Sequence, residues 1–341
     1  MDLINELPKH VVDLILKSRN SGFATVSKAG LPIDTPMLIF PSPGLKTFDV
    51  CTGVSYPTKA ERARANPKVG LLFEGGANEP VVAIGGMARV SDSDIQSNLN
   101  RYLAETAYAR PYNPPWEIAK KAVFYWARIL VEITPTKILW WDRPADMDKA
   151  PNIWNAPADT VYPASDPRPG GTPSKAYNAA ENISWQDLAA RALRLQMPAH
   201  LTRCDADGFP LSVRAGSVAQ TAEGFTFDVP AAAPWSRSGE ATLTFLGRET
   251  FVGKVEPTGG NGMKLTVERA LPVHPFMNDP HEMWNPSKEI YDAMYGRLAH
   301  ELARRGQPVP KVPDEEPPLT EYAKIRKAAV PADAGETVPV E

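Results

Sequence analysis

Lys59 opens the run Lys-Ala-Glu-Arg-Ala-Arg-Ala, which is closed by Asn66-Pro67. These are helix formers, and the residue before a proline avoids the α region. A lysine at the start of a short helix is a chemical signal. Free N–H groups and the positive end of the helix dipole already favour an anion there, and the ammonium adds a point charge. The five histidines, His10, His200, His274, His281 and His300, fall into no zinc spacing of the H-x-x-x-H or H-E-x-x-H kind. His274 and His281, the latter beside Glu282 and Trp284, would line a pocket or ligate a metal or haem, but loop histidines are commoner and no metal site is expected. No G-x-S-x-G elbow is present, so a serine hydrolase is not supported. Gly259-Gly260-Asn261-Gly262 lacks a following Lys-Ser/Thr and reads as a turn. No residue is identified as a catalytic proton donor.

The elements that must position Lys59 read as a β-meander. A short amphipathic helix spans 8–18, with Val11, Val12, Ile15 and Leu16 on one face. Strands follow at 23–27, 32–40 and 46–52, separated by Ala29-Gly30 and Pro41-Ser42-Pro43-Gly44. After the Lys59 helix come strands at 69–73 and 81–90, helices at 92–105 and 116–125, and a strand at 129–141. A second series begins with a helix at 184–196. It continues with strands at 198–203, 210–218, 224–230, 241–246, 250–256 and 263–269, and ends in a helix at 285–305.

The two series echo each other. Thr-Phe-Asp-Val stands at 47–50 and again at 226–229. Ahead of them lie Gly30-Leu31-Pro32 and Gly208-Phe209-Pro210, at spacings that differ by one residue. Each copy opens with a helix and a strand containing Thr25 or Thr202, and each closes with a strand, Leu130–Pro135 or Leu265–Glu268. The order implies a duplication.

The bulk numbers agree with two domains. The chain has 341 residues and a formal net charge of −3, so no global field draws it to nucleic acid or an anionic membrane. No segment approaches a membrane span. The N-terminus lacks a signal peptide's basic and apolar regions, so a cytoplasmic location is expected. Cys51 and Cys204 suggest no disulfide framework, and the sequence neither pairs them nor excludes pairing. Thirty-five prolines concentrate in 109–118, 144–173 and 307–318, which mark loops and extended linkers. The expected division is a first domain over 1–142, a Pro-rich linker over 143–180, a second domain with a C-terminal helix over 181–306, and a loosely ordered Pro/Glu-rich tail over 307–341.

Residues 8–142 resemble the FMN-binding split-barrel superfamily of the pyridoxamine 5′-phosphate oxidase type. The resemblance rests on an ordered set: Gly22-Phe23-Ala24-Thr25-Val26, Gly30-Leu31-Pro32, Thr35-Pro36-Met37, Lys59 with Pro67 eight residues on, Gly86-Met87-Ala88-Arg89-Val90, and Ile133–Ile138 with Trp140-Trp141. It implies a mainly β fold with peripheral helices (α+β), built as two tandem antiparallel split β-barrels, the second degenerate. It also implies FMN in a crevice between paired barrels, with the strand Thr35-Pro36-Met37 against the isoalloxazine ring and Thr52, Thr58 and Lys59 at the phosphate. The pair would be a homodimer or an intrachain pseudo-dimer. Related barrels accept a deazaflavin, and some bind haem.

The chain departs from the family in two places. Thr58 replaces one of a basic pair, and Pro32-Ile33-Asp34 stands where a basic residue precedes the flavin strand. The arginine and histidine that grip the substrate phosphate have no counterpart, which argues against pyridoxamine phosphate as substrate. In the second copy the Lys59 helix is replaced by 230–240, where Trp235 and Arg237 would either close over the first site or form a plain hairpin. Trp116, Tyr125, Trp126, Trp140 and Trp141 read first as packing aromatics and second as a wall beside the flavin. Arg110 and Tyr112 sit in a Pro-rich loop suited to a lid, and with Trp140 they make the expected substrate pocket. The expected function is an FMN-dependent oxidoreductase on a small apolar or aromatic substrate. The alternatives are a deazaflavin-dependent reductase and a non-enzymatic flavin or haem carrier or sensor.

Overall fold

The computed structural model describes residues 2–107, 114–174, 183–271 and 281–329. Helices α1 (Leu3–Glu6) and α2 (Lys9–Lys17) precede six strands: β1 (Asn20–Val26), β2 (Pro32–Pro41), β3 (Phe48–Gly53), β4 (Lys68–Glu74), β5 (Val81–Ser91) and β6 (Arg128–Trp141). Helix α3 (Thr58–Ala65) joins β3 to β4. Helices α4 (Ile95–Thr106), α5 (Trp116–Ala119) and α6 (Val123–Trp126) join β5 to β6. The strands pair antiparallel in the order β3-β2-β1-β4-β5-β6, and β6 returns to β3, so the ring closes.

The second series, after α7 (Trp185–Arg194), comprises β8 (Ala199–Cys204), β9 (Pro210–Gln220), β10 (Gly224–Asp228), β11 (Gly239–Phe245), β12 (Thr250–Gly259) and β13 (Gly262–Leu271). It closes in the order β10-β13-β12-β11-β8-β9. Each ring, followed from its first strand, therefore visits its strands as first, second, third, sixth, fifth, fourth. The two tandem antiparallel barrels expected from the sequence are present, with the same topology.

The equivalence extends to single hydrogen bonds. In the β1–β2 turn, Ser27 N donates to Leu31 O at 2.8 Å and Gly30 N to Ser27 O at 2.9 Å, and Leu31 N donates to Ser27 Oγ. In the β8–β9 turn, Asp205 N donates to Phe209 O at 2.9 Å and Gly208 N to Asp205 O at 3.0 Å, and Phe209 N donates to Asp205 Oδ1. Gly30 and Gly208 both have φ near +80° (80° and 84°), the left-handed region that favours glycine. Aligning these turns sets Arg203, not Thr202, opposite Thr25. The loose sequence pairing of the two threonines is off by one residue, because alternation alone does not fix register.

The barrels dock through the outer faces of β1, β2, β4 and β5 on one side and β8, β9 and β11 on the other. The approach is close. A Cβ on Gly70 would lie 1.7 Å from the carbonyl oxygen of Pro210, so only glycine fits there. Phe209 packs over Gly85 between the ammonium groups of Lys68 and Lys137, and Lys137 pairs with Asp205 at 2.5 Å. Leu72, Val81, Ala83, Leu139 and Trp141 of the first unit join the core of the second.

Three expectations change. The 143–180 segment is not merely a linker: β7 (Asn152–Asn155) extends the first sheet beside β6, and Asp166 Oδ2 accepts from the backbone N–H groups of Asp92 and Ser93. The C-terminal helix, seen as α8 (His281–Trp284) and α9 (Lys288–Arg304), packs on the first barrel, where Met294, Leu298 and Leu302 enter its core. The tail is not wholly loose, since α10 (Glu321–Ala329) buries Arg326 against Glu105 at 2.5 Å. In each case a contact between distant segments overrides local composition. Among the described residues no helix is long and apolar enough to cross a membrane. Both cysteines are free, and burial pushes the Cys51 thiol up to about 12.

Candidate functional site

Helix α3 turns distinct faces to its surroundings. Ala60 and Ala63 are buried. Glu61 and Arg64 face α9 and the 166–168 segment, where Arg64 pairs with Asp92 at 2.7 Å and Glu61 lies 3.6 Å from Arg305. Lys59 and Arg62, one turn apart, share another face. Arg62 Nε donates to Thr25 Oγ1 on β1 at 2.9 Å. Lys59 is half-buried and makes no hydrogen bond or ion pair with any described residue.

The β3–α3 loop that presents Lys59 is fixed from several sides. Thr52 is buried, and its Oγ1 donates to Tyr56 O at 3.4 Å. Val54 N donates to Ala127 O at 3.0 Å. Ser55 is buried under α9, with Arg297 Nε donating to its carbonyl at 3.0 Å. Tyr56 folds back so closely that a Cβ on Gly53 would sit 2.4 Å from its ring.

The β3–β6 pairing that closes the barrel sets Gly53 opposite Arg128, the first residue of β6. Arg128 is 4% exposed. Its guanidinium lies 4.3 Å from the Tyr102 ring centroid and 4.2 Å from that of Tyr125, and its Nη1 donates to Tyr56 Oη at 3.1 Å. Its Nε is buried without a partner, and no carboxylate pairs with it among the described residues. Arg62 donates through its Nε to Thr25, and no carboxylate pairs with it either among the described residues. Burial, then the nearby Arg62 and Arg128, hold the Lys59 ammonium down to about 8, and burial holds Arg62 down to about 10. Three cations thus lie near one another at one end of the first barrel, and no acid pairs with any of them among the described residues. Such a site has a standing affinity for anions.

The structure relates the sequence-derived residues to this cluster unevenly. Thr58 is exposed at the start of α3 beside Lys59. Thr35 lies opposite Phe23, one strand over and two residues along from Thr25, and its Oγ1 is buried without a hydrogen bond. Pro36 and Met37 are half-buried on β2. Trp140 does not join them. It lies about twelve residues beyond Arg128 on β6, on the order of 40 Å of extended strand, and it packs against the first core. Arg110, Tyr112 and His274 fall outside the described residues. Trp235 does not close over the first site: it is buried in the second barrel, its indole N–H bonded to Leu211 O at 2.9 Å, and Arg237 donates to Gly260 O in its own barrel. An apolar indole gains more from filling that barrel than from covering a polar site. Trp116, Tyr125 and Trp126 pack with one another and with Trp284.

Sequence reading missed Arg62, Arg128 and Tyr56. Arg62 was open to inference from its place one turn after Lys59. Arg128 was not, because only the β3–β6 closure brings it to the loop. Among the described residues there is no cluster of three metal-ligating side chains.

No family model matches the chain, and no curated protein matches it. Solved structures do. General Stress Protein 26 from Bacillus anthracis is 19% identical, over 43% of this chain and 97% of its own, with a TM-score of 0.31. A pyridoxamine 5′-phosphate oxidase-related, FMN-binding protein from Nostoc punctiforme is 13% identical, over 38% of this chain and 80% of its own, with a TM-score of 0.29. An F420 reductase is 14% identical, over 40% of this chain and 100% of its own, with a TM-score of 0.31. Each is a likeness, and the fold of this chain is fixed by the strand pairing described above.

Proposed function

We propose that the first barrel binds a flavin-type cofactor through its phosphate, with FMN the leading candidate, and that the protein is an oxidoreductase acting on a small apolar or aromatic molecule. The observation that carries this reading is Lys59, held at the start of α3 beside Arg62 and Arg128, with no partner and no carboxylate among the described residues. The sequence resemblance over residues 8–142 supplies the cofactor class. The residues fit such a group. The cations and the α3 N-terminus favour a phosphate, and the half-buried stretch Thr35–Met37 offers backbone to a flat ring. A bound flavin supplies the electron transfer, while the protein binds it, shields it and orients the substrate.

The same proposal makes one chain the functional pair of barrels. It is supported by the identical strand order of the two rings and by the docking face that the second barrel occupies on the first.

The test is the visible absorption spectrum of the purified protein, with mass spectrometry of any released chromophore. The two bands of oxidised flavin with released FMN support the reading, and a deazaflavin mass replaces the cofactor but keeps the site. A colourless protein that also fails to bind added flavin overturns it.

A further inference from the structure

Arg128 poses a problem that the cofactor reading leaves open. A guanidinium is always charged, and burying a charge without a counter-ion is costly. The tyrosine faces offset part of that cost, yet Nε stays unpaired. Lys59 and Arg62 add two more cations to the same end of the barrel, and each is less readily protonated for being buried there. One negative charge leaves this cluster well in excess. Two nearly balance it.

We infer that Arg128, held between Tyr102 and Tyr125 with no counter-ion among the described residues, makes the first barrel's anion site select a doubly charged phosphomonoester over a singly charged phosphodiester. The inference takes the location of the site from the cofactor reading and goes beyond it by naming the ester class and the residue that sets it. A phosphomonoester carries close to two negative charges near neutral pH, because its second pKa is about 6, whereas a diester carries one. Lys59 and Arg62 on α3 suffice to hold either. Arg128, reaching the site from β6, adds the cation that only the second charge satisfies. Tyr56 fixes the guanidinium through its hydroxyl and positions it.

The experiment uses the full chain, stripped of any resident ligand, and three probes that share one ring: riboflavin, riboflavin 5′-phosphate and the methyl diester of that phosphate. Fluorescence quenching gives each dissociation constant. In parallel, methyl phosphate and dimethyl phosphate are compared by their effect on Tm. The wild type is expected to bind the monoester about tenfold or more tighter than the diester. Arg128→Met should remove most of that preference while changing diester affinity little, and Arg128→Lys should retain part of it. Arg62→Gln, on the half-exposed helix, should weaken both esters and keep the preference, which guards against a misfolded Arg128 variant. Equal binding of the two esters by the wild type, or a preference that survives Arg128→Met, overturns the inference and leaves the cofactor reading standing. Failure of all three flavins together with stabilisation by methyl phosphate alone overturns the cofactor reading and supports charge selection. Failure of every probe overturns both.

Discussion

The two barrels share a strand order and a turn, and they differ in what joins the third strand to the fourth. In the first barrel that connection is α3, whose Arg62 reaches down to Thr25. In the second it is 229–238, and the residue equivalent to Thr25 is Arg203, which reaches up. Arg203 donates to Ser236 O, to Ser236 Oγ at 3.0 Å and to Glu240 O at 3.0 Å, and lies 5.9 Å from the Trp235 ring centroid. The second barrel therefore satisfies its cation within its own backbone and fills the space with an indole. The first leaves Lys59, Arg62 and Arg128 without a carboxylate among the described residues. A shallow cavity of about 410 Å³ remains beside Trp235, lined by Cys204, Asp205 and Ser236 among others, but Asp205 is already paired with Lys137. The same frame thus yields a closed structural barrel and one that holds uncompensated charge.

The largest expected effects lie where the barrels need each other and where the second is filled. His200 is buried between two carboxylates of the first barrel, 2.7 Å from Glu74 and 3.5 Å from Asp34, and Arg214 also grips Glu74. Burial opposes the charge on His200, but the nearby Asp34 and Glu74 carboxylates outweigh it and raise its pKa to about 9. Burial likewise opposes the Glu74 carboxylate, and His200 and Arg214 reverse this and lower it to about 2. His200→Leu strands the carboxylates and is expected to cost about 3–5 kcal/mol in denaturant unfolding. The histidine's contribution is complete below its ordinary 6.5 and is lost as pH rises through 9. That of Glu74 is complete above 4.5 and is lost as pH falls through 2. The difference between wild type and variant should therefore peak between pH 4.5 and 6.5, and a pH-independent difference would remove the ion pair from the account.

Trp235→Ala should cost a similar amount, about 3–5 kcal/mol, with no change in anion affinity. Weakened anion binding in a folded variant would mean that the second barrel contributes to the first site.

A subtler contrast separates the cations. Lys59 faces Arg62 and Arg128, with Tyr56 on Arg128, and loses its proton as pH rises through about 8. Phosphomonoester affinity should hold between about pH 6, where the second phosphate charge is established, and about pH 8, and then fall. The fall should vanish in Lys59→Met. A wild-type affinity that is flat across pH 8 would place the phosphate elsewhere.

How much of this was legible in the sequence follows from the range of the interactions. Alternation and turn residues located every barrel strand, and Asn66-Pro67 located the end of α3, because those signals are local. The duplicated Thr-Phe-Asp-Val and the Gly-x-Pro turns located the repeat. Arg128 was illegible because it meets α3 only through barrel closure, and α9 because its apolar stripe does not say which barrel it covers. The helix expected over 116–125 is two single turns, α5 and α6, whose aromatic side chains satisfied helical spacing while packing as a cluster.

The central claim is one anion site per chain, built on Lys59, Arg62 and Arg128 in the first barrel. Its most direct test is a calorimetric titration of the full chain with FMN, repeated with Lys59→Ala. The account predicts one FMN per chain, and for the variant an affinity about tenfold or more weaker at unchanged Tm. Two equivalents per chain, or a Lys59→Ala variant that binds as tightly as the wild type, would contradict it.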